Sequence, residues 1–473
     1  KPSSAASDVY KRQVIGQPRT SRYSFNSRID YDLTPSIRAF AEFVAYDSRS
    51  MTARQPVTLN ASDRVVTLAV DNPYNPYGSR FYSATGAPNA DGSPRLTGAP
   101  QTMSIGDMLL ADGGPETIRT TNRMHRVLAG LQGRIGRSSW NWELGLMTGG
   151  VRATDVPIND VRDSLLIAAA QRSDATAWNP FGYTFRVAGG AVVADQPYRN
   201  PAGVWQAFTA AAPRIGHTRV DSIDARIAGD AFRLWAGPAG VSLGAEWRRD
   251  YKDDDKPPYV GLNPPGSGLD PDDNDILVMS PRRRFQAQRT IASAYAETAV
   301  PLVAARQGVP LVRTLDLSAS ARFERYSDFG KTVRPKVGLV WRPSTRLLAR
   351  ISHNEGFLAP DLTRVYAPTT RALQSPPGTR DSVRNNFLLA AGRPADTQVL
   401  GATFSVANHE LQPEVSKGRS AGMVVEVPVV RGLSVSVDYW EIEQRNLILA
   451  YARDATLDDQ LLRAYTQAQL NAG

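Results

Sequence analysis

The chain contains no cysteine, which removes disulfides, thiolate zinc sites and cysteine nucleophiles together. Histidine is scarce. The four are His125, His217, His353 and His409, and none has the i, i+4 or H-x-x-E-H spacing of a zinc helix. No G-x-S-x-G elbow, P-loop or strand-linked G-x-G-x-x-G occurs. His353 and Glu355 stand two apart, but a strand end running into a loop explains them better than acid–base chemistry, so no enzyme is expected. Long apolar runs are also missing. Mean hydropathy is −0.33, and no stretch approaches the ~18 apolar residues of a spanning helix. Membrane strands remain open, because their signal is only alternation over ~10 residues. Positive charge is almost all arginine. With a net +9 it fits nucleic acid, an anionic ligand or an anionic lipid surface. Basic clusters are absent beyond Arg282-Arg283-Arg284, so nucleic acid is not an expected partner.

What is present is alternation. Tyr23, Phe25, Ile29 and Tyr31 oppose Asn26, Arg28 and Asp30. Leu315, Leu317, Ala319, Ala321 and Phe323 alternate with Asp316, Ser318, Ser320, Arg322 and Glu324. This is the period of a strand with one apolar and one polar face. It predicts strands over 23–31, 36–46, 124–135, 140–148, 217–228, 241–250, 289–299, 315–326, 333–342, 347–353, 416–427 and 433–443. Helical periodicity is confined to 159–172 and 456–470. Short connections alternate with long ones, 47–123, 149–216, 251–288 and 354–415, and the single short member of the long series is YSDFGKT.

Loops beyond ~15 residues are rare in compact soluble domains. Here they all fall on one end of a meander, which predicts an all-β, antiparallel, up-and-down transmembrane β-barrel with long extracellular loops. Tyr23, Tyr31, Tyr46, Trp140, Trp247, Tyr439 and Trp440 suit its interfacial girdles. The alternatives are a soluble β-rich carbohydrate-binding module or enzyme, built as a propeller or tandem sandwiches, and a passive outer-membrane channel.

The long loops hold the candidate sites. Asn72 to Gly78 and Trp178 to Gly182 repeat Asn-Pro-aromatic, a rigid turn that displays or buries its ring. Asp270, Asp272 and Asn274 occupy calcium-loop positions one, three and five, without the later glycine and glutamate. A second acidic cluster, DYKDDDK, is expected in the same loop. Arg28, Arg248, Arg322 and Arg350 lie on polar strand faces and suggest an anionic ligand or an acidic protein surface in the lumen.

The stretch SARFERYSDFGKTVRPKVGLVWRPSTRLLARISHNEGFLAPDL (320–362) resembles the barrel of a TonB-dependent outer-membrane receptor, as does NHELQPEVSKGRSAGMVVE (408–426). The Asn-Pro repeat at 72–78 is similar to one found in a proteobacterial branch of that family. The resemblance implies TonB-energised uptake of a scarce nutrient (an iron chelate, a cobalamin or an oligosaccharide), with no cofactor and with outer-membrane lipid around the wall. It makes Gly356, Phe357, Ala359 and Pro360 a structural rim motif, with Gly356 and Pro360 shaping the strand exit and Leu358 where the family usually has Arg. It makes Tyr74, Tyr77, Trp178 and Phe181 candidate ligand contacts. The family barrel has roughly 22 strands. The chain is therefore expected to be a partial barrel over 14–473, lacking the plug domain that meets the TonB complex and the last strands, with residues 1–13 a linker or assembly scar.

Overall fold

The computed structural model describes residues 17–60, 65–371, 389–390, 392–393 and 404–448. The expected scar at 1–13 and the helical segment at 456–470 lie outside them. Twelve strands form one antiparallel sheet in which each pairs with its chain neighbours. They are β1 (Arg19–Thr34), β2 (Ile37–Ala53), β3 (Thr117–Arg134), β4 (Asn141–Pro157), β5 (Arg214–Arg233) and β6 (Pro238–Asp255), then β7 (Phe285–Val303), β8 (Thr314–Tyr326), β9 (Gly330–Arg342), β10 (Leu347–Leu358), β11 (Glu414–Glu426) and β12 (Ser434–Arg445). Each predicted stretch falls on one of them. β1 and β12 are not hydrogen-bonded to each other, so the described sheet has two open edges.

The register explains the alternation. Ile29, Ala41, Ala129, Leu146, Ile223 and Trp247 lie opposite one another in turn across six strands. Ile29, Leu146, Ile223 and Trp247 are all exposed, as an apolar face turned to lipid requires. The neighbouring rows carry the charges. Where a bulky ring lies across the polar face, the opposite strand supplies a glycine. A Cβ on Gly130 would come within 2.5 Å of the Phe40 ring, and one on Gly244 within 2.2 Å of Tyr295.

The strands run 12 to 20 residues, well beyond the ~9–11 needed to span. The excess lies at the loop end, where both faces are polar and alternation fades. One expectation is corrected there: Tyr251 to Asp255 is strand, paired with β5 and, as far as Asp254, with β7, and not loop. The helical segment at 159–172 holds helix α1 (Asp163–Ala170).

The buried apolar core lies in the loops, not between sheets. Leu59, Val66, Leu68, Val161, Leu166, Trp178 and Phe208 pack together from the two loops after β2 and β4. The loop after β10 opens with helix α2 (Leu362–Tyr366), whose Leu362 packs on Phe285 and Ala287 of β7.

Candidate functional site

The polar face is a ladder of ion pairs. Arg28 lies 2.6 Å from Glu42, which also meets Arg126 at 3.2 Å. Glu246 lies between Arg248 (3.5 Å) and Arg322 (2.9 Å), and Arg350 meets Asp438 at 2.8 Å. All four arginines read from the sequence as a cationic lumen thus have carboxylate partners. Such exposed pairs add little stability, yet they leave this stretch of wall with little uncompensated charge.

Above the ladder the loops interlock through buried asparagines. Asn72 and Asn75 are fully buried and Asn179 is 2% exposed. Each side-chain oxygen accepts the backbone N–H two residues on, from Tyr74 (2.9 Å), Tyr77 (3.0 Å) and Phe181 (2.8 Å). Each amide nitrogen then donates to backbone carbonyls. Asn72 reaches Ala170 and Trp178 in the next loop, and Asn75 reaches Ala69 and Gln101. Proline at the next position fixes φ for the turn. A third loop joins through Asp275, 2% exposed, which accepts from Arg162 Nε and from the Ser164 N–H and hydroxyl at the start of α1, each at 2.7 Å.

The four loop aromatics therefore differ. Trp178 is 2% exposed, edge-on to Phe208 at 6.4 Å, and belongs to the loop core. Tyr74 donates its hydroxyl to that of Tyr198 at 2.7 Å, and burial pushes its phenol pKa up. Phe181 packs edge-on to Phe185 at 5.1 Å. Only Tyr77 among them displays its ring, at 52% exposure.

Between these loops and the ends of β2 to β6 lies a cavity of about 510 Å³, within the size range of ligand pockets. Its cations are Arg54, Arg214, Lys256 and Arg282, and its acids Glu116 and Asp160. Arg214 lies 3.8 Å from Asp155, and Lys256 pairs with Asp254. Arg54 and Arg282 have no carboxylate partner among the described residues. Asp160 is 6% exposed with an unpartnered Oδ2, and the Nε of Arg214 is likewise unpartnered. Burial, then Glu116, pushes the Asp160 carboxyl up to about 7 against the pull of Arg214. Near neutral pH the cavity is thus net cationic. The sequence reading missed it, although charges just past the last alternating residue of each long strand were a usable signal.

The rim motif is placed differently from expectation. Gly356 sits inside β10 opposite Ser416, and the strand runs on to Leu358, so the exit begins at Ala359. Phe357 lies edge-on to Tyr326 at 5.9 Å, and the Pro360 carbonyl accepts from the buried Arg289 at 2.6 Å. Glu355 has two cations and an imidazole around it, Arg334 at 3.5 Å, Lys417 at 3.8 Å and His353 at 3.6 Å. That makes it an ion-pair hub on the polar face. In the acidic loop, Asp272 pairs with Arg283 at 2.7 Å and Asn274 is buried, its amide donating to the Val260 carbonyl. Asp270 accepts from the Asp272 N–H at 3.0 Å. Among the described residues no group of three His, Asp or Glu could hold a metal.

Comparison with known proteins gives one family match. Residues 67–472 match the family described as TonB dependent receptor-like, beta-barrel. Similar solved structures include the siderophore receptor PirA from Acinetobacter baumannii, with 12% identity, TM-score 0.46, and coverage of 91% of this chain and 44% of that one. The alcaligin outer-membrane receptor FauA from Bordetella pertussis shows 12% identity, TM-score 0.43, and coverage of 92% and 45%. The chain thus spans less than half the length of these receptors. No curated protein matches it. A strand meander with an apolar outer face, long loops on one end and a family match over most of its length place the chain in the outer membrane, as a β-barrel member of the TonB-dependent receptor family.

Proposed function

We propose that the chain forms part of the wall and the mouth of a receptor that imports a scarce nutrient as an anionic complex, with an iron chelate the best fit. The cavity carries this reading: Arg54 and Arg282 line it without a carboxylate partner among the described residues, and burial raises the Asp160 carboxyl to about 7. Its position on the polar face, under interlocked loops, suits a ligand entering from outside. Cations held at a partly dehydrated wall attract multidentate carboxylate or catecholate ligands more strongly than they would in bulk water. Tyr77 is the loop aromatic best placed to meet such a ligand first. An open-edged sheet leaves backbone groups unpaired in lipid. In this reading the complete receptor therefore adds further strands, and a plug that couples it to the TonB complex. A passive channel would need no cationic ligand cavity, and a soluble enzyme or carbohydrate module no apolar outer face.

The test is uptake of radioactive iron by cells that depend on the full-length receptor. Ferric chelates of different net charge would be supplied one at a time. Anionic chelates should be taken up in preference to neutral ones. The Arg54→Ala, Arg282→Ala double variant should raise KM for them about tenfold or more. Equal uptake of neutral and anionic chelates, or an unchanged KM, would sink the reading.

A further inference from the structure

The cavity holds a buried donor and a buried acceptor that no protein group satisfies. Asp160, 6% exposed, lies just beyond β4 and lines the cavity with an unpartnered Oδ2. Arg214, at the start of β5, lines the same space, and its buried Nε is also unpartnered. Buried polar atoms are nearly always paired, so two at one cavity point to a missing ligand group. The backbone is strained to place the acid. Asn159, immediately before it, holds φ at 119°, a region that residues other than glycine rarely adopt. The Asn159 amide donates to the Gly113 carbonyl at 3.4 Å, and Asp160 itself pairs with Ala210 across a short ladder.

The surrounding charges do not use up this pair. Glu116 precedes β3, and Arg54 follows β2 with its backbone N–H on the Glu116 carbonyl at 2.8 Å. Arg214 reaches Asp155 of β4 only at 3.8 Å, and Asp155 already accepts from Thr120 at 2.7 Å. Lys256, just past β6, pairs with Asp254. Arg54 and Arg282 have no carboxylate partner among the described residues. Burial and then Glu116 raise the Asp160 carboxyl to about 7, so below neutral pH it carries a proton and donates. A carboxylate entering the cavity can then accept from the Asp160 hydroxyl and from the Arg214 Nε–H. Both bonds are charge-assisted, because the acceptor is an anion.

We propose that Asp160 and Arg214 form a subsite for an uncoordinated carboxylate of the ligand, and that binding takes up a proton at Asp160. The inference rests on reading the cavity as an anion site, and it narrows the ligand to iron chelates of the hydroxycarboxylate class. In a tris-catecholate complex every anionic oxygen is bound to the metal. Hydroxycarboxylate chelates keep carboxylate oxygens free, and these can meet both groups. A carboxylate seated beside Asp160 favours its protonated form, as any nearby negative charge does. Proton uptake therefore accompanies binding above neutral pH and vanishes in acid, where Asp160 is protonated with or without ligand.

The test is titration calorimetry on the purified full-length receptor with two probes, ferric citrate and a hexadentate ferric tris-catecholate. Ferric citrate should bind about tenfold tighter at about pH 6.5 than at about pH 8. Close to one proton should be taken up at the higher pH, read by comparing buffers of different ionisation heat. The catecholate should take up none. Asp160→Asn, whose amide still donates, should bind ferric citrate alike at both pH values and without that uptake. Asp160→Ala should bind it about tenfold more weakly at the lower pH, with folding checked by heat-modifiable mobility. Citrate binding without proton uptake, or equal uptake with both probes, overturns the subsite whether or not the variants fold, and leaves the anion site standing. Uptake retained by Asp160→Asn overturns it too. Failure of both chelates to bind overturns the anion site and the subsite together.

Discussion

Replacing Asn72 with alanine should loosen the extracellular loops while leaving the barrel intact. Asn72 is fully buried, and its amide donates to the Ala170 carbonyl at 3.0 Å and more weakly to that of Trp178 at 3.4 Å. Its oxygen accepts the Tyr74 N–H at 2.9 Å. Truncation leaves at least one donor and one acceptor buried without partners, at ~1–3 kcal/mol each. The expected cost is about 3 kcal/mol, concentrated where the first long loop meets the second. That corresponds to roughly a hundredfold rise in the local opening constant. Global unfolding of an outer-membrane barrel would not report it. Hydrogen exchange measured by mass spectrometry would, on peptides spanning 66–82 and 160–180, with strand peptides as the internal reference. Asn72→Asp sharpens the test, since a carboxylate keeps the acceptor for Tyr74 but turns an oxygen toward two carbonyls. It should open the loops at least as far at neutral pH and recover part of the protection in acid. Protection within about threefold of the native protein in both variants would refute the claim that these turns tie the loops together.

Three further outcomes follow from buried or crowded groups. The Asp160 carboxyl is raised to about 7, so its contribution to loop stability is fully present below its ordinary value and is lost as pH rises through neutrality. Exchange protection around the cavity should therefore fall between about pH 4 and pH 7, and Asp160→Asn should flatten that profile; an unchanged profile would show that another group titrates. Arg289 and Asp328 are both 5% exposed and 3.3 Å apart. Asp328→Ala should cost about 3–5 kcal/mol by stranding a buried cation, whereas replacing both with apolar residues should cost far less; equal losses in a urea titration of folded, heat-modifiable receptor would contradict this. Gly130→Val meets the Phe40 ring and the Leu144 carbonyl and should cost about 1–3 kcal/mol, read as a lower urea midpoint for the same mobility shift.

The sequence made the strands legible and the sites mostly illegible, for one physical reason. A wall between lipid and a polar lumen imposes a period of two on every strand, and that period needs only neighbouring residues to be seen. The rule lapses where the strands rise above the membrane. Tyr251 to Asp255 therefore looked like loop, and Gly356 looked like a turn although it pairs with Ser416. Contacts between loops leave no such periodic mark. Asn72 and Ala170 are 98 positions apart, and only the local half of the motif, asparagine to Tyr74 N–H, could be anticipated from Asn-Pro-aromatic. The cavity is harder still, because Arg54, Glu116, Asp160, Arg214, Lys256 and Arg282 each lie at or near the end of a different strand. Register alone assembles them. The same holds on the outside, where Arg123, Arg152 and His217 are unremarkable singly and stand in one row only because pairing sets them there. In a sheet of this kind, charged residues just beyond the alternating segments are best read across strands, since neighbours in space there are almost never neighbours in the chain.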